Sequence, residues 1–459
     1  MDTRIGLFTG ILAATCFQSV LASAQAVAPS PSELQKMKDL VASLNADQGT
    51  ARKTLKRHTG QLVDCTDYDK QPAFRDLRKK GQPVPPMATV DMSILADWNS
   101  GLDGTVSPAT PEPLLDPTDT FPADLSAVPA SAAKRCDPGT VPILRTDLKA
   151  ITKFRTLDAY FASLKSVERN SSNPPGFFHA GVDDADTVRA LQAYLNCQKP
   201  PRMGPLGDHS TLQLYIQDDP DPKATNFHTI EMGLDVDREL YGDDWVHTLV
   251  YASTHPGHNY CIFWKYCEGS ENVTYHQQSS DYFPTGSWGA GSATGFVKMG
   301  ILSGSAGGQD AWVYCVLDQI MGWVYKSETN FNGSATLSKV FGEVYSTTLD
   351  TTTTAMGSGV NPNTLSKNYW PNVAWAADLQ VFRTADNYWS DFAIQDIGTY
   401  NPCRVNEFAC YDVKACDTPH QAGNCPSANR LQPGDAPWSG WGTFMFFGGQ
   451  GNYNSPSCN

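Results

Sequence analysis

Positive charge is in short supply: 34 Lys and Arg stand against 48 Asp and Glu, for a formal net charge of -14. Phosphate recognition needs a basic face, so nucleic-acid binding is excluded as the main role. Long apolar runs are also missing beyond the first residues, and a membrane-spanning helix needs roughly 20 such residues. No Gly-x-Ser-x-Gly elbow and no His-Glu-x-x-His helix occurs, which removes the local geometry of serine hydrolases and zincins. His255-Pro256-Gly257-His258, with His247 nearby, has no carboxylate or third ligand at a telling spacing. It reads as a polar loop with solvated histidines rather than a metal site. Neither a metal nor a cofactor is expected.

What is present points to export. The apolar run Ile5 to Leu21 follows Arg4 and precedes the small residues Ala22-Ser23-Ala24-Gln25-Ala26, so residues 1–26 read as a cleaved signal peptide. The 12 cysteines suit an oxidising compartment. Cys16 leaves with the signal, and the odd number that remains requires at least one thiol without an intrachain partner. Cys261 and Cys267 flank Ile262-Phe263-Trp264-Lys265-Tyr266 and read as a local disulfide. Cys315, within Trp312-Val313-Tyr314-Cys315-Val316-Leu317, reads as a buried free thiol. Asn170, Asn272 and Asn332 head glycosylation sequons.

Ser32-Glu33-Leu34-Gln35 has the form of a capping box, and Leu34, Met37, Val41 and Leu44 recur at helical spacing. A short amphipathic helix is expected there. Prolines at 108, 111, 113, 117, 122 and 129 make residues 101–135 a linker, because they block both helix and sheet ladders. Leu148, Ile151, Phe154, Leu157, Phe161 and Leu164 predict one more helix ending near Asn170. From about Thr211 the period becomes two. Leu212, Leu214 and Ile216 alternate with polar residues, as do Leu379 and Val381 with their neighbours. Over most of the remaining chain this predicts an all-β sandwich or barrel.

Two glutamates sit in unusual company. In Thr229-Ile230-Glu231-Met232-Gly233-Leu234, strand alternation puts Ile230, Met232 and Leu234 on the core face and Glu231 with Thr229 and Gly233 on the other. In Val340-Phe341-Gly342-Glu343-Val344-Tyr345, it groups Glu343 with Phe341 and Tyr345. Those aromatic neighbours predict partial desolvation and a raised pKa for Glu343. Periodicity alone does not bring the two glutamates together.

At these residues the sequence resembles the neprosin family. Val63-Asp64-Cys65 with Gln71-Pro72-Ala73-Phe74 is similar to that family's activation-peptide signature, and Cys136-Asp137-Pro138-Gly139-Thr140-Val141-Pro142-Ile143 to the segment that closes it. Ile230-Glu231-Met232-Gly233, Glu239-Leu240-Tyr241-Gly242-Asp243, the Cys261 to Cys267 loop and Phe341-Gly342-Glu343-Val344 follow in order. Met356-Gly357-Ser358-Gly359, Cys410-Tyr411-Asp412-Val413 and Trp441-Gly442-Thr443-Phe444 complete the series. Leu234 stands where an aromatic residue is usual, and an insertion surrounds Cys416 to Pro433.

The resemblance implies an antiparallel β-sandwich peptidase domain over 171–459, preceded by a smaller mixed α/β activation region over 27–170. It implies Glu231 and Glu343 as the catalytic pair and cleavage on the carboxyl side of proline in peptide or protein substrates, with Tyr345, Trp264 and Trp288 as pocket candidates. The expected further pairings are Cys65 with Cys136, Cys410 with Cys458, and Cys416 with Cys425. The activation region is expected to close the cleft as an inhibitor and to loosen in acid as ion pairs of Arg52, Lys53, Lys56 or Arg57 fail. Two nearby carboxyls are expected to share a proton, giving acid activity, with the base undecided between them. A catalytically silent secreted carbohydrate- or protein-binding sandwich and a paired-carboxylate glycosidase remain as alternatives.

Overall fold

The computed structural model describes residues 28–47, 51–56, 62–94, 136–145, 148–152, 155–158, 176–196, 198–204, 207–218, 228–241, 244–254, 257–262, 274–279, 296–316, 319–329, 331, 333–346, 354–362, 373–400, 411–416 and 443–451. The expected signal peptide, linker 101–135, Trp264, Trp288, Cys197, His255, Cys267 and Cys403 lie outside them. So do side chains needed for the pairings of Cys261 with Cys267, Cys410 with Cys458 and Cys416 with Cys425. No helix among the described residues is long and apolar enough to cross a membrane.

The first helix spans Pro31–Asp47. Its cap sits two residues before the expected one: the Ser30 hydroxyl accepts a hydrogen bond from the Glu33 amide at 3.2 Å. Pro31 then occupies the first helical position, where its fixed φ suits the helix and its missing N–H costs nothing. Met37 is buried against Ile151 of the short helix Leu148–Ile151. Strands β1 (Lys53–Lys56), β2 (Leu62–Asp67) and β4 (Thr140–Leu144) form a three-stranded sheet, tied by the Cys65–Cys136 disulfide. Arg52 pairs with Asp67 at 2.6 Å and Lys53 with Asp137 at 3.6 Å. Both ion pairs therefore lie within this small unit, not at its border with the rest of the chain as the sequence suggested.

The two-residue strand β3 (Thr89–Val90) belongs elsewhere, against β12 (Phe296–Ala306). The remaining strands are β5 (Gly176–Asp184), β6 (Val188–Asn196), β7 (His209–Gln217), β8 (Thr229–Asp237), β9 (His247–Thr254), β10 (Gly257–Ile262), β11 (His276–Gln277), β12 (Phe296–Ala306), β13 (Gln309–Val316), β14 (Gln319–Tyr325), β15 (Leu337–Ser346), β16 (Ala374–Arg383), β17 (Tyr388–Asp391), β18 (Asp396–Tyr400), β19 (Asp412–Cys416) and β20 (Thr443–Gly448). They build two antiparallel sheets. One has seven strands in the order β10-β9-β8-β7-β15-β5-β18, and the other runs β11-β14-β13-β12-β6-β16-β20-β19 with β3 and β17 added at its flanks.

Alternation explains the packing. Val182, Leu214, Met232 and Val344 of the first sheet meet Leu191, Ile301, Trp312 and Met445 of the second in one core. The chain is thus the antiparallel β-sandwich that the two-residue period and the motif resemblance indicate. Gly342 shows how closely the layers approach: a Cβ there would lie 2.1 Å from Cδ2 of Phe447 in the facing sheet. Cys315 is a buried free cysteine on the other face of the second sheet.

That outer face of the ten-stranded sheet is covered by residues 68–94. Phe74, Ala88, Val90 and Ile94 pack on Leu302, Val313, Trp323 and Phe382. The Phe74 ring stacks on His276 at 4.9 Å. The Gln71 side chain both donates to the carbonyl and accepts from the amide of Gln277, each at 2.9 Å, while Gln278 clasps the backbone of Ala88 in the same two-sided way. β3 pairs with β12 through Val90↔Gly304.

Candidate active site

Glu231 on β8 and Glu343 on β15 project from the same face of the seven-stranded sheet, the face turned away from the core. β7 runs between their strands. The register sets Glu231 opposite Tyr215, and Tyr215 opposite Lys339; Glu343 is opposite Thr211. With strands about 4.8 Å apart and about 3.3 Å of rise per residue, the carboxyls lie on a diagonal of the face rather than side by side.

Aromatic rings wall this face. Phe177 meets Tyr345 with ring centroids 4.7 Å apart, His209 stacks on Tyr345 at 5.3 Å, and Phe341 meets Tyr215 at 5.8 Å. Tyr345, expected as a pocket residue, is therefore on the same face as both glutamates. Phe341 and Tyr345 are buried, whereas Glu231, His179 and Lys339 remain partly exposed among them. The result is a desolvated wall around a few accessible polar groups.

Two histidines that sequence reading missed hold Glu343. His179 on β5 bonds one carboxylate oxygen through Nε2 at 2.6 Å, and His209 on β7 bonds the other at 3.0 Å. β5 and β7 flank β15 on its two sides, so each histidine reaches Glu343 from a neighbouring strand. Burial alone would raise the Glu343 carboxyl, but the charges and hydrogen bonds of His179 and His209 outweigh it and bring the group down to about 2. The expected upward shift is overturned. Its aromatic neighbours do desolvate Glu343, yet the two imidazoles dominate. His209 in turn is raised to about 9: burial disfavours its charge, and the hydrogen bond it donates to Glu343, with the fields of Asp235, Glu343 and Asp237, more than restores it.

Glu231 behaves oppositely. Burial, followed by the Glu343 charge, pushes its carboxyl up to about 8, against a 3.2 Å hydrogen bond from Thr229 and the fields of Lys339 and His209. Between these values the pair carries a single proton, which lies on Glu231. Glu343 is the anion and Glu231 the neutral acid.

His247 is neither solvated nor in a loop. It is fully buried on β9, stacked on Tyr241 at 4.0 Å. Among the described residues no group of His, Cys, Asp and Glu side chains is arranged to hold a metal ion.

Scytalido-glutamic peptidase, solved with a peptide-based transition-state analogue, aligns with 61% of this chain and 100% of its own at 11% identity and a TM-score of 0.28. A second structure of that peptidase with a transition-state analogue inhibitor aligns with 49% of this chain and 89% of its own, at 13% identity and a TM-score of 0.23. A β-porphyranase of the human gut bacterium Bacteroides plebeius aligns with 39% of this chain and 62% of its own, at 8% identity and a TM-score of 0.15. These likenesses are too faint to bear on the site. No curated protein matches the chain. The Neprosin family profile, in contrast, matches residues 207–450, more than half of the chain and both glutamates included. The chain belongs to the Neprosin family.

Proposed function

We propose that this chain is a secreted glutamic endopeptidase, made as a zymogen and active in acid, in which Glu343 is the general base and Glu231 the general acid. Family membership supports a peptide-bond hydrolase. The observation that carries the reading is the opposite protonation of two carboxyls on one sheet face, Glu343 held down to about 2 and Glu231 held up to about 8. Hydrolysis of an amide by such a pair needs neither metal nor nucleophilic side chain.

The ionised Glu343 takes a proton from a water molecule as the water oxygen forms a bond to the scissile carbonyl carbon. Glu231 donates a hydrogen bond to the carbonyl oxygen on which charge collects. It then gives its proton to the departing nitrogen as the C–N bond breaks, and the proton held by Glu343 returns to Glu231 through solvent. Activity requires Glu343 ionised and Glu231 protonated. It rises as pH passes about 2 and falls as pH passes about 8.

Cleavage on the carboxyl side of proline belongs to the same proposal. The aromatic wall of Phe177, Tyr215, Phe341 and Tyr345 supports it as an apolar surface against which a rigid pyrrolidine ring can lie. Export rests on the signal-like first 26 residues and on the Cys65–Cys136 disulfide. In the zymogen reading residues 27–170 form the activation region, and residues 68–94, on the far sheet, anchor it rather than plug the cleft.

The experiment is incubation of acid-treated protein with a proline-containing peptide and, separately, with polysaccharides. Cleavage of the peptide after proline, lost in both Glu231→Gln and Glu343→Gln with the fold retained, is the expected result. Sugar release would make the chain a glycosidase, and binding without turnover a silent module. Chain length before and after acid exposure tests latency; full activity in the unprocessed chain refutes it.

A further inference from the structure

The diagonal between the two glutamates has a residue at its centre. Gln213 on β7 faces Gly233 of β8 on one side and Phe341 of β15 on the other. Glu231 is two residues from Gly233 along β8, and Glu343 two from Phe341 along β15. Alternation along β7 gives Gln213 the orientation of Thr211 and Tyr215, toward the face that carries both acids. It is thus a diagonal neighbour of each, at the roughly 7–8 Å that such pairs keep in an antiparallel sheet.

The chemistry of Gln213 is unusual for a strand interior. The residue is 1% exposed, and its amide oxygen has no hydrogen-bond partner among the described residues. Buried amides are ordinarily satisfied on both ends, and an orphan at a site calls for an explanation. Gly233 shapes the space beside it: a Cβ there would come within 2.7 Å of the Gln213 Cβ and 2.1 Å of the Leu212 carbonyl oxygen. The glycine of the first glutamate motif thus lets β7 and its glutamine approach β8 closely.

We propose that Gln213 is a further catalytic residue, whose amide oxygen accepts one hydrogen of the attacking water while Glu343 takes the other. This rests on the glutamate-pair reading above. A water held by one base alone is free to rotate about that single hydrogen bond; a second acceptor fixes the lone pair that attacks. In the step itself the O–H bond toward Glu343 breaks, the proton moves to the carboxylate, and the oxygen lone pair forms the C–O bond. The O–H bond held by Gln213 stays intact, so no charge passes to the amide.

The test compares Gln213→Met, close in volume but without an acceptor, with Gln213→Glu, which keeps an oxygen acceptor. Substrate is a proline-containing peptide, and wild type and Glu343→Gln are assayed beside them. Gln213→Met is expected to lower kcat about a hundredfold, the scale of losing one preorganised polar contact to the reacting atoms, with KM nearly unchanged. Gln213→Glu recovers part of the loss and adds a titration to the pH profile of kcat. A purely structural glutamine gives the reverse rank, because Met fills a buried site more cheaply than a carboxyl does. Wild-type kcat in Gln213→Met, or Gln213→Glu falling below it, overturns the proposal while leaving the glutamate pair standing. If Gln213→Met does not fold, Gln213→Asn, which withdraws the amide by one methylene, must lose kcat in its place. An inactive wild type or an active Glu343→Gln removes the glutamate pair, and Gln213 with it.

Discussion

The two outer faces of this sandwich are built on the same pleat and are used in opposite ways. On the seven-stranded sheet the outward positions carry His179, His209, Glu231, Asp235, Lys339 and Glu343 among aromatic rings. On the ten-stranded sheet they carry Leu302, Val313, Trp323 and Phe382, and the chain's own residues 68–94 lie over them. One face spends its outward positions on charge that must be held in place by neighbours; the other buries apolar surface for stability. The difference teaches that residues at outward strand positions take their meaning from what lies across them, and each face can be altered to see whether the division holds.

The sharpest way to break the comparison is at the glutamates. Glu343→Gln and Glu231→Gln should each lower kcat at pH 4–5 by about 10⁴-fold or to background, at the upper end of what one acid–base group contributes. Thermal unfolding should show a retained fold. Next in size is the opposite experiment on the far face. Phe74 is fully buried, stacked on His276 at 4.9 Å and edge-on to Tyr68 at 5.3 Å. Phe74→Ala should cost about 3–5 kcal/mol of stability by urea titration, with kcat per folded molecule unchanged. A catalytic defect in the folded Phe74→Ala protein would erase the distinction between the faces.

Alternation made half of the site legible. It placed Glu231 opposite in phase to Met232 and Leu234, and Glu343 beside Phe341 and Tyr345, as the sheets have them. What it did not supply was the cross-strand company. Neighbours two residues away on the same strand are written in sequence, whereas His179 and His209 reach Glu343 from strands 164 and 134 residues earlier. Hence the expected rise for Glu343 turned into a fall. A signal was present in Phe178-His179-Ala180-Gly181-Val182, where His179 sits in outward phase within an otherwise apolar stretch of β5, but strand order was needed to aim it. The motif Gln71-Pro72-Ala73-Phe74 resembles an activation-peptide signature in sequence, and only the packing shows that its Gln and Phe grip the ten-stranded sheet.

A finer test separates His209 from the glutamates it serves. Its bond and charge are among the causes that hold Glu343 down to about 2, and its charge also lowers Glu231. His209→Gln removes that cation, so both carboxyls should titrate higher. The acid limb of the kcat/KM profile should move up by about one unit, since an opposite charge in contact shifts a carboxyl by about 1–3 units. The alkaline limb should move in the same direction by less, because His209 bonds Glu343 and reaches Glu231 only through space. An acid limb that stays in place would mean that His179 alone sets the ionisation of Glu343.

The smallest expected effect lies at the edge of the covered face, where Asp91 joins residues 68–94 to the sandwich. Burial would raise this carboxyl, but two hydrogen bonds from Ser93 and the charge and hydrogen bond of Arg189 leave it lowered. A lowered folded-state value means that the ionised form stabilises the clasp above the unfolded value of about 3.9, and that this contribution is lost as pH falls through the folded value. Asp91 is partly exposed, so screening keeps the contribution below about 1 kcal/mol. Asp91→Asn should therefore lower stability slightly at pH 7 and flatten its dependence on pH below 4, measured by urea titration at each pH. Because Arg189 pairs with Asp91 across the join between segment and sheet, acid should loosen this edge first while Phe74, Val90 and Ile94 keep the segment seated. Release of residues 68–94 by acid alone, seen as their separation from the sandwich on size-exclusion chromatography after chain cleavage and disulfide reduction, would show that the polar edge and not the apolar face holds the segment.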